Sequence, residues 1–259
     1  MFLETRVGKA LLALIAVLLL ITTGKDWLDL YTCGAVDKCL ADAGKLQLAT
    51  KFLISYLLTV LAFIASRNAF SPRDGRLLRT AFIFSLLADF SFCIPKALQN
   101  SFRETSDICG IAFFMLFQIV LIYRHTRKSE SDTHIPGIHK FLVLVAAIAG
   151  AIFGARVIES TVGNVTIAAV AVYGIFLIAS LVVAFRVPRY GHFHPHGAKL
   201  IRWGLVAFFI GDALVGLSML SGEDHGAVQT LSAISKNFIW WFYVPAQLML
   251  IAACAKPKA

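Results

Sequence analysis

Two isolated aspartates, Asp89 and Asp212, are the residues of this chain best suited to chemistry. Asp89 lies in the apolar run AFIFSLLADFSFCI, and Asp212 lies in WGLVAFFIGDALVGLSML. Each follows a basic residue, Arg79 or Arg202, by ten positions, which on a helix is ~15 Å, about half the hydrocarbon thickness of a bilayer. A carboxylate at that depth costs several kcal/mol unless it faces a polar cavity or a partner. The matched depths predict one shared intramembrane site at which carboxyl groups hold or pass protons.

A few polar side chains in the other apolar runs are candidates to complete this site. They are Lys51, Gln118, Tyr173, Tyr243 and Gln247. Tyr243 and Gln247 are four residues apart and therefore share one face of a helix. Lys51 has two open interpretations, because its ammonium group can snorkel to the membrane surface or can pair with a carboxylate or a substrate phosphate. Each residue alone would be explained by hydrogen bonds between helices, whereas together they predict a cavity that contains both aspartates.

The composition indicates which elements must position these residues. The chain has 259 residues, of which 58% are hydrophobic and 15% are charged, below the roughly 25% charged residues of soluble domains. Its mean hydropathy is +0.77. These values predict an all-α fold, a polytopic transmembrane helical bundle that forms a single transmembrane domain over residues 1–259. Segmenting the apolar runs predicts about eight spans, at 8–23, 46–66, 77–97, 108–123, 140–158, 164–185, 199–220 and 236–255.

The chain has a net charge of +9, and the positions of its basic residues indicate how it is oriented in the membrane. With a cytoplasmic N-terminus, sixteen of the 24 lysines and arginines fall in inner segments and seven fall in outer loops, with Lys51 the remaining one. This bias follows the positive-inside rule, so both termini are predicted to be cytoplasmic. The partner of the basic charge is therefore the inner leaflet of the lipid bilayer and not a nucleic acid. We expect an integral protein of a bacterial inner (cytoplasmic) membrane.

Other reactive residues carry weaker signals. Cys33 and Cys39 share the first outer loop and would form a local disulfide if that loop faces an oxidising compartment. The tract HFHPH at 192–196 has the look of a run of metal ligands, but no cysteine or acid accompanies it. The sequence predicts no metal and no other cofactor. It also lacks a P-loop, a GxSxG elbow and an HExxH motif, so nothing favours a serine hydrolase or a zinc protease.

Six segments, taken in order, resemble the YhhN family of integral membrane proteins, whose animal members are lysoplasmalogenases. The segments span about residues 46–253 and read ATKFLISYLL, FSLLADFSF, GIAFFMLFQIVLIY, VAVYGIFLIASLVVAF, WGLVAFFIGDALVG and FYVPAQLMLIAA. The two functional aspartates of the family correspond to Asp89 and Asp212. The chain departs from the usual pattern at four positions, with Phe52 for Pro, Ala88 for Gly, Gln118 for His and Gly211 for Ser.

The resemblance implies hydrolysis of the vinyl ether bond of a lysophospholipid to a fatty aldehyde and a glycerophospho-alcohol. One aspartate would protonate the β-carbon, and the other, ionised, would stabilise the resulting oxocarbenium ion and orient water. Lys51 would meet the phosphate, while Gln118, Tyr173, Tyr243 and Gln247 would position the polar part of the lipid. Glutamine at position 118 can hydrogen-bond but cannot transfer protons in the usual range.

Two other functions remain open from the sequence. A proton-coupled transporter of lipids or small molecules would use the aspartates for coupling and would move its substrate without changing it. A non-catalytic bundle that binds lysolipids would bind without turnover, and Gln118 in place of histidine favours it. The sequence does not indicate whether the protein is a monomer or an oligomer.

Overall fold

The computed structural model describes residues 5–33, 40–98, 103–127, 162–218 and 226–255. No strand occurs in these ranges, where the sole extended pairing is an isolated antiparallel bridge between Ala69 and Ala255. The described helices are α1 (Arg6–Cys33), α2 (Leu40–Arg67), α3 (Pro72–Ala97), α4 (Arg103–Thr126), α5 (Val162–Tyr190), α6 (Pro195–Ser218) and α7 (Gly226–Ala252). The all-α prediction is confirmed for this part of the chain.

Six of these seven described helices are long and apolar enough to cross a membrane. Each of the six coincides with a predicted span, and their membrane-length segments are Arg6–Thr32, Lys45–Arg67, Pro72–Lys96, Ser106–Thr126, Ala168–Tyr190 and Pro195–Ser218. The protein is thus an integral membrane protein. The span predicted at 236–255 falls mostly in α7, which is not among the six, and the span at 140–158 lies outside the described residues. The total of eight spans, the cytoplasmic termini and the single domain stay predictions.

The helices from α2 to α7 form a closed ring. Each packs against the next in sequence, and α7 returns to α2, while α1 lies against α2 and α7. A short turn leads from α2 into α3, where Ser71 caps α3 by accepting a hydrogen bond from the Asp74 amide at 3.1 Å and Pro72 occupies the first turn. In a ring of six, α3 and α6 stand on opposite sides. The two helices that carry Asp89 and Asp212 therefore face each other across the centre.

A stripe of glycines holds α6 close to α7. Gly197, Gly204 and Gly211 recur every seven residues and are buried. A Cβ atom at Gly204 would lie only 3.2 Å from the carbonyl oxygen of Ala246. Small residues allow helix backbones to approach at such distances. At Gly211 the nearest atom to a Cβ would be 3.5 Å away, so there is more space immediately before Asp212.

The turn between α5 and α6 contains the histidine-rich tract. Gly191, with φ of 71°, follows α5, and Pro195 begins α6. Phe193 is buried in this turn, where its ring lies 5.3 Å from that of Phe70 and 5.8 Å from that of His125. The tract thus contributes an aromatic anchor to the core.

A buried ion cluster joins α3, α4 and α7 at the end of the bundle where α4 and α7 terminate. Arg124, fully buried, donates from Nε and Nη2 to the two carboxylate oxygens of Asp74 at 2.9 and 2.8 Å. Arg127 donates to the same carboxylate at 3.3 Å, and Arg124 also donates to the carbonyl of Leu250 at 3.5 Å. The bidentate geometry compensates for removing both charges from water. The two arginines, predicted only as cytoplasmic charges, are structural.

Candidate active site

An internal cavity of about 400 Å³ lies inside the ring, on the side where α3 and α6 end, which is the predicted outer side. All six helices of the ring contribute to its wall, and most of the lining is apolar. Five of the seven predicted site residues line it, namely Lys51, Asp89, Tyr173, Asp212 and Tyr243. The structure therefore brings both aspartates to one cavity, as their matched depths predicted.

Asp89 is held by hydroxyl groups from two other helices. Its Oδ2 atom accepts hydrogen bonds from Ser55 Oγ on α2 and from the Tyr243 hydroxyl on α7, both at 2.6 Å. The Tyr243 hydroxyl gives its only proton to the carboxylate, so in its 2.9 Å contact with Ser85 the serine is the donor. Ser85 in turn accepts a hydrogen bond from Gln247 Nε2 at 2.9 Å. This directional network immobilises Oδ2. No described residue hydrogen-bonds Oδ1, so that atom is available to a molecule in the cavity.

Asp212 has a simpler environment. The hydroxyl of Tyr173, on the neighbouring helix α5, donates to Asp212 Oδ2. No second hydrogen-bond donor to this carboxyl group occurs among the described side chains. Each aspartate is thus paired with one tyrosine, while Asp89 has Ser55 in addition. Both tyrosines, predicted to contact substrate, line the cavity beside the carboxyl groups that they bind.

Aromatic rings separate the two pairs and close the base of the cavity. The ring of Phe114 lies 6.3 Å from that of Tyr173 and 6.2 Å from that of Tyr243. One turn further along the chain, Phe117 is fully buried, and its ring packs 5.3 Å from that of Phe208. This layer makes the surroundings of the carboxyl groups apolar on the side away from the predicted outer surface.

Three lysines stand in the wall nearer to the predicted outer surface. Lys51 Nζ lies 3.0 Å from a carboxylate oxygen of Asp26 on α1, and the two side chains are only 18% and 9% exposed. Lys96 Nζ lies 2.6 Å from Asp107 on α4. Lys51 therefore pairs with a carboxylate, which is one of the two interpretations that the sequence left open. Its partner is Asp26 on α1, and not Asp89 or Asp212. The third lysine, Lys236, is exposed.

The two predicted glutamines lie behind the cavity wall. Gln247 supports Ser85 from α7, while its Oε1 atom has no hydrogen-bond partner among the described residues. Gln118 is fully buried on α4 and does not line the cavity. Neither amide atom of Gln118 makes a hydrogen bond within the described part of the chain. Both glutamines can act on a substrate only through the tyrosines or after a local movement.

The sequence prediction omitted several residues that the structure places at the site. Ser55 lies one turn after Lys51 and shares its helix face, and this spacing could have indicated that Ser55 lies close to the site. Ser85, four residues before Asp89, shares its helical face by the same rule, although it was not among the predicted site residues. Asp26 could not be assigned, because nothing in α1 indicated which of its faces contacts α2. Cys33 and Cys39, for which the sequence left a disulfide open, lie outside the described side chains.

The fold and the cavity define a class of protein, a polytopic helical membrane protein with two carboxyl groups in an internal, largely apolar cavity. The model of the YhhN family matches residues 46–254, which include α3 to α7 and all of α2 except its first six residues. The chain belongs to the YhhN family, as the six sequence segments predicted. Helix α1, with Asp26, precedes the matched region. No curated protein and no solved structure matches the chain.

Proposed function

We propose that the protein is a lysoplasmalogenase-like hydrolase of the membrane that cleaves the vinyl ether bond of a lysophospholipid. The observation that carries this proposal is the pair of aspartates, each held through one oxygen by a tyrosine, in a single apolar cavity. A long hydrocarbon chain fits an apolar wall between membrane helices. The reaction requires an acid and a base and no redox partner. Membership of the YhhN family is compatible with a hydrolase.

The two carboxyl groups have different roles in this proposal. Asp89 accepts two hydrogen bonds and Asp212 accepts one, and hydrogen-bond donors stabilise the negative charge of a carboxylate. We therefore assign Asp89 as the ionised group, which stabilises the cation and accepts a proton from water. Asp212 is the acid. The two groups titrate as a unit when they share a cavity, so the assignment describes the reactive state.

The steps balance with water as the only co-reactant. Asp212 transfers its proton to the β-carbon of the vinyl ether, and the α-carbon becomes an oxocarbenium ion opposite Asp89. Water adds to that carbon and gives a proton to Asp89, which leaves a hemiacetal. In the collapse, Asp89 returns the proton to the departing glycerol oxygen while the hemiacetal hydroxyl gives its own to Asp212. The products are a fatty aldehyde and a glycerophospho-alcohol, and both carboxyl groups regain their starting states.

The remaining predicted residues have supporting roles. Tyr173 and Tyr243 orient the carboxyl groups and limit the freedom of the glycerol backbone. Gln118 and Gln247 act behind these tyrosines, and the Lys51–Asp26 pair borders the region that takes the head group. The proposed location is a bacterial cytoplasmic membrane, with the cavity on its outer side.

Release of aldehyde from a lysoplasmalogen by the purified protein tests the proposal. Asp89→Asn and Asp212→Asn should each abolish most of the release, because each removes one proton-transferring group. Asp29→Asn is the matched control, since Asp29 pairs with Lys25 on α1 and does not line the cavity. Full activity in both cavity variants would rule the mechanism out. Binding without turnover would favour a lysolipid-binding bundle, and movement of unchanged lipid across vesicles would favour a transporter.

A further inference from the structure

The positive charges of the cavity are unequally compensated. Lys51, Lys96 and Lys236 all line it. Lys51 and Lys96 each form an ion pair, with Asp26 at 3.0 Å and with Asp107 at 2.6 Å. Lys236 forms no ion pair and no hydrogen bond with any residue that the structure describes. An incoming anion therefore competes with a carboxylate at the first two lysines, whereas at the third it meets no carboxylate from the described part of the chain.

Lys236 also has a suitable position for the head group of a lipid bound at the carboxyl groups. It precedes Tyr243 by seven residues on α7, so the two share a helix face and lie ~10 Å apart along its axis. Tyr243 contacts Asp89 directly. A lipid with its ether oxygen beside Asp89 would extend its glycerol carbons along α7 toward the ammonium group of Lys236. Lysine binds phosphate as a point charge and needs no fixed hydrogen-bond geometry.

We infer that Lys236 is the residue that binds the head-group phosphate of a single-chain lysophospholipid in this cavity. The inference rests on the proposed function for the class of lipid, and it concerns binding and not turnover. Lys51, with its charge offset by Asp26, contributes less to the recognition of the phosphate. The apolar lining selects a lipid over a free phosphate compound.

The experiment measures binding of two ligands with the same alkyl chain to the purified full chain in detergent. One is a saturated alkyl ether lysophospholipid, which lacks the vinyl double bond, and the other is the corresponding alkylglycerol, which lacks the phosphate. Lys236→Met should weaken binding of the phospholipid by about tenfold or more and leave that of the alkylglycerol within about twofold, as expected for loss of one charged contact. Lys236→Arg should retain most of the affinity. Lys199→Met, which changes an exposed lysine that does not line the cavity, should affect neither ligand.

Three results would overturn the inference. They are an equal loss for both ligands in Lys236→Met, no loss for either, or a larger phosphate-selective loss in Lys51→Met. Competition by glycerol 3-phosphate as strong as that by the lysophospholipid would show a site for free phosphates and would also overturn it. Because binding is measured with ligands that are not hydrolysed, a failure of the proposed hydrolysis is distinguished from a failure of this assignment.

Discussion

Replacing Tyr243 with phenylalanine removes one oxygen atom from the centre of the Asp89 network. That oxygen donates to Asp89 at 2.6 Å and accepts from Ser85 at 2.9 Å. The phenyl ring retains its packing against Phe114 and Trp240, whose ring centroids lie 6.2 and 5.2 Å away. The substitution therefore tests the hydrogen bond with little change in the shape of the cavity.

The size of the effect follows from the charge of the acceptor. A hydrogen bond to a charged group contributes ~1.5–3 kcal/mol. If Asp89 needs this bond to remain ionised opposite the oxocarbenium ion, its loss slows the reaction roughly ten- to a hundredfold, since 1.4 kcal/mol corresponds to about a factor of ten. Ser55 still donates to Asp89, so the loss should be smaller than in Asp89→Asn. Ser55→Ala removes the other donor to the same oxygen and should cost a similar factor.

The assay is the rate of aldehyde release as a function of lysoplasmalogen concentration. We expect the turnover number to fall and KM to change little, because the bond acts on the carboxylate and not on the bound lipid. The matched control is Tyr56→Phe, which removes a hydroxyl group from an exposed residue of α2. An unchanged turnover number in Tyr243→Phe, with Tyr56→Phe also unchanged, would refute the role of the network in holding Asp89 ionised.

Three further substitutions test other parts of the structure. Asp74→Asn should lower the free energy of unfolding in detergent by about 3–5 kcal/mol, because it leaves the charge of the fully buried Arg124 uncompensated. A change within experimental error would contradict the structural role of the cluster. Gln118→Leu should raise thermal stability by ~1–3 kcal/mol, since it removes two buried polar atoms that have no hydrogen-bond partner among the described residues. It should also lower aldehyde release, and a gain in both stability and release would remove Gln118 from the site. Gly204→Val should destabilise the α6–α7 contact by ~1–3 kcal/mol in thermal unfolding, whereas Gly174→Ala, with no atom within 4 Å of the added Cβ, should not.

The common cavity of Asp89 and Asp212 was predictable, because depth along a membrane helix depends only on the rise per residue and on the position of flanking basic residues. The pairing of carboxyl groups with tyrosines was not. Tyr243 lies on α7, which packs closely against α6, so its sequence position favours Asp212 as a partner. The structure pairs it with Asp89 because its face of α7 turns toward α3 across the cavity. Periodicity predicts a shared face, but the rotation of each helix depends on the packing of the whole ring.

The buried ion cluster shows a second limit of prediction from sequence. Arg124 and Arg127 were counted as inner charges because the positive-inside rule concerns the number of basic residues at a membrane edge. Whether such a residue meets the lipid head groups or a buried carboxylate depends on a contact distant in sequence, here Asp74 on α3. The apolar pattern of the helices contains no information about this contact.

The absence of a histidine at position 118 is compatible with acid–base chemistry for a reason that the structure supplies. Gln118 does not line the cavity, whereas Tyr173 lines it and contacts Asp212. In the proposed mechanism, a group at position 118 therefore acts on Asp212 only indirectly and need not transfer the proton that reaches the substrate. Asp89, on the opposite side of the cavity, obtains its donors from α2 and α7, and no described residue of α4 donates to it. The change from histidine to glutamine should consequently alter the strength of the acid more than the existence of the reaction.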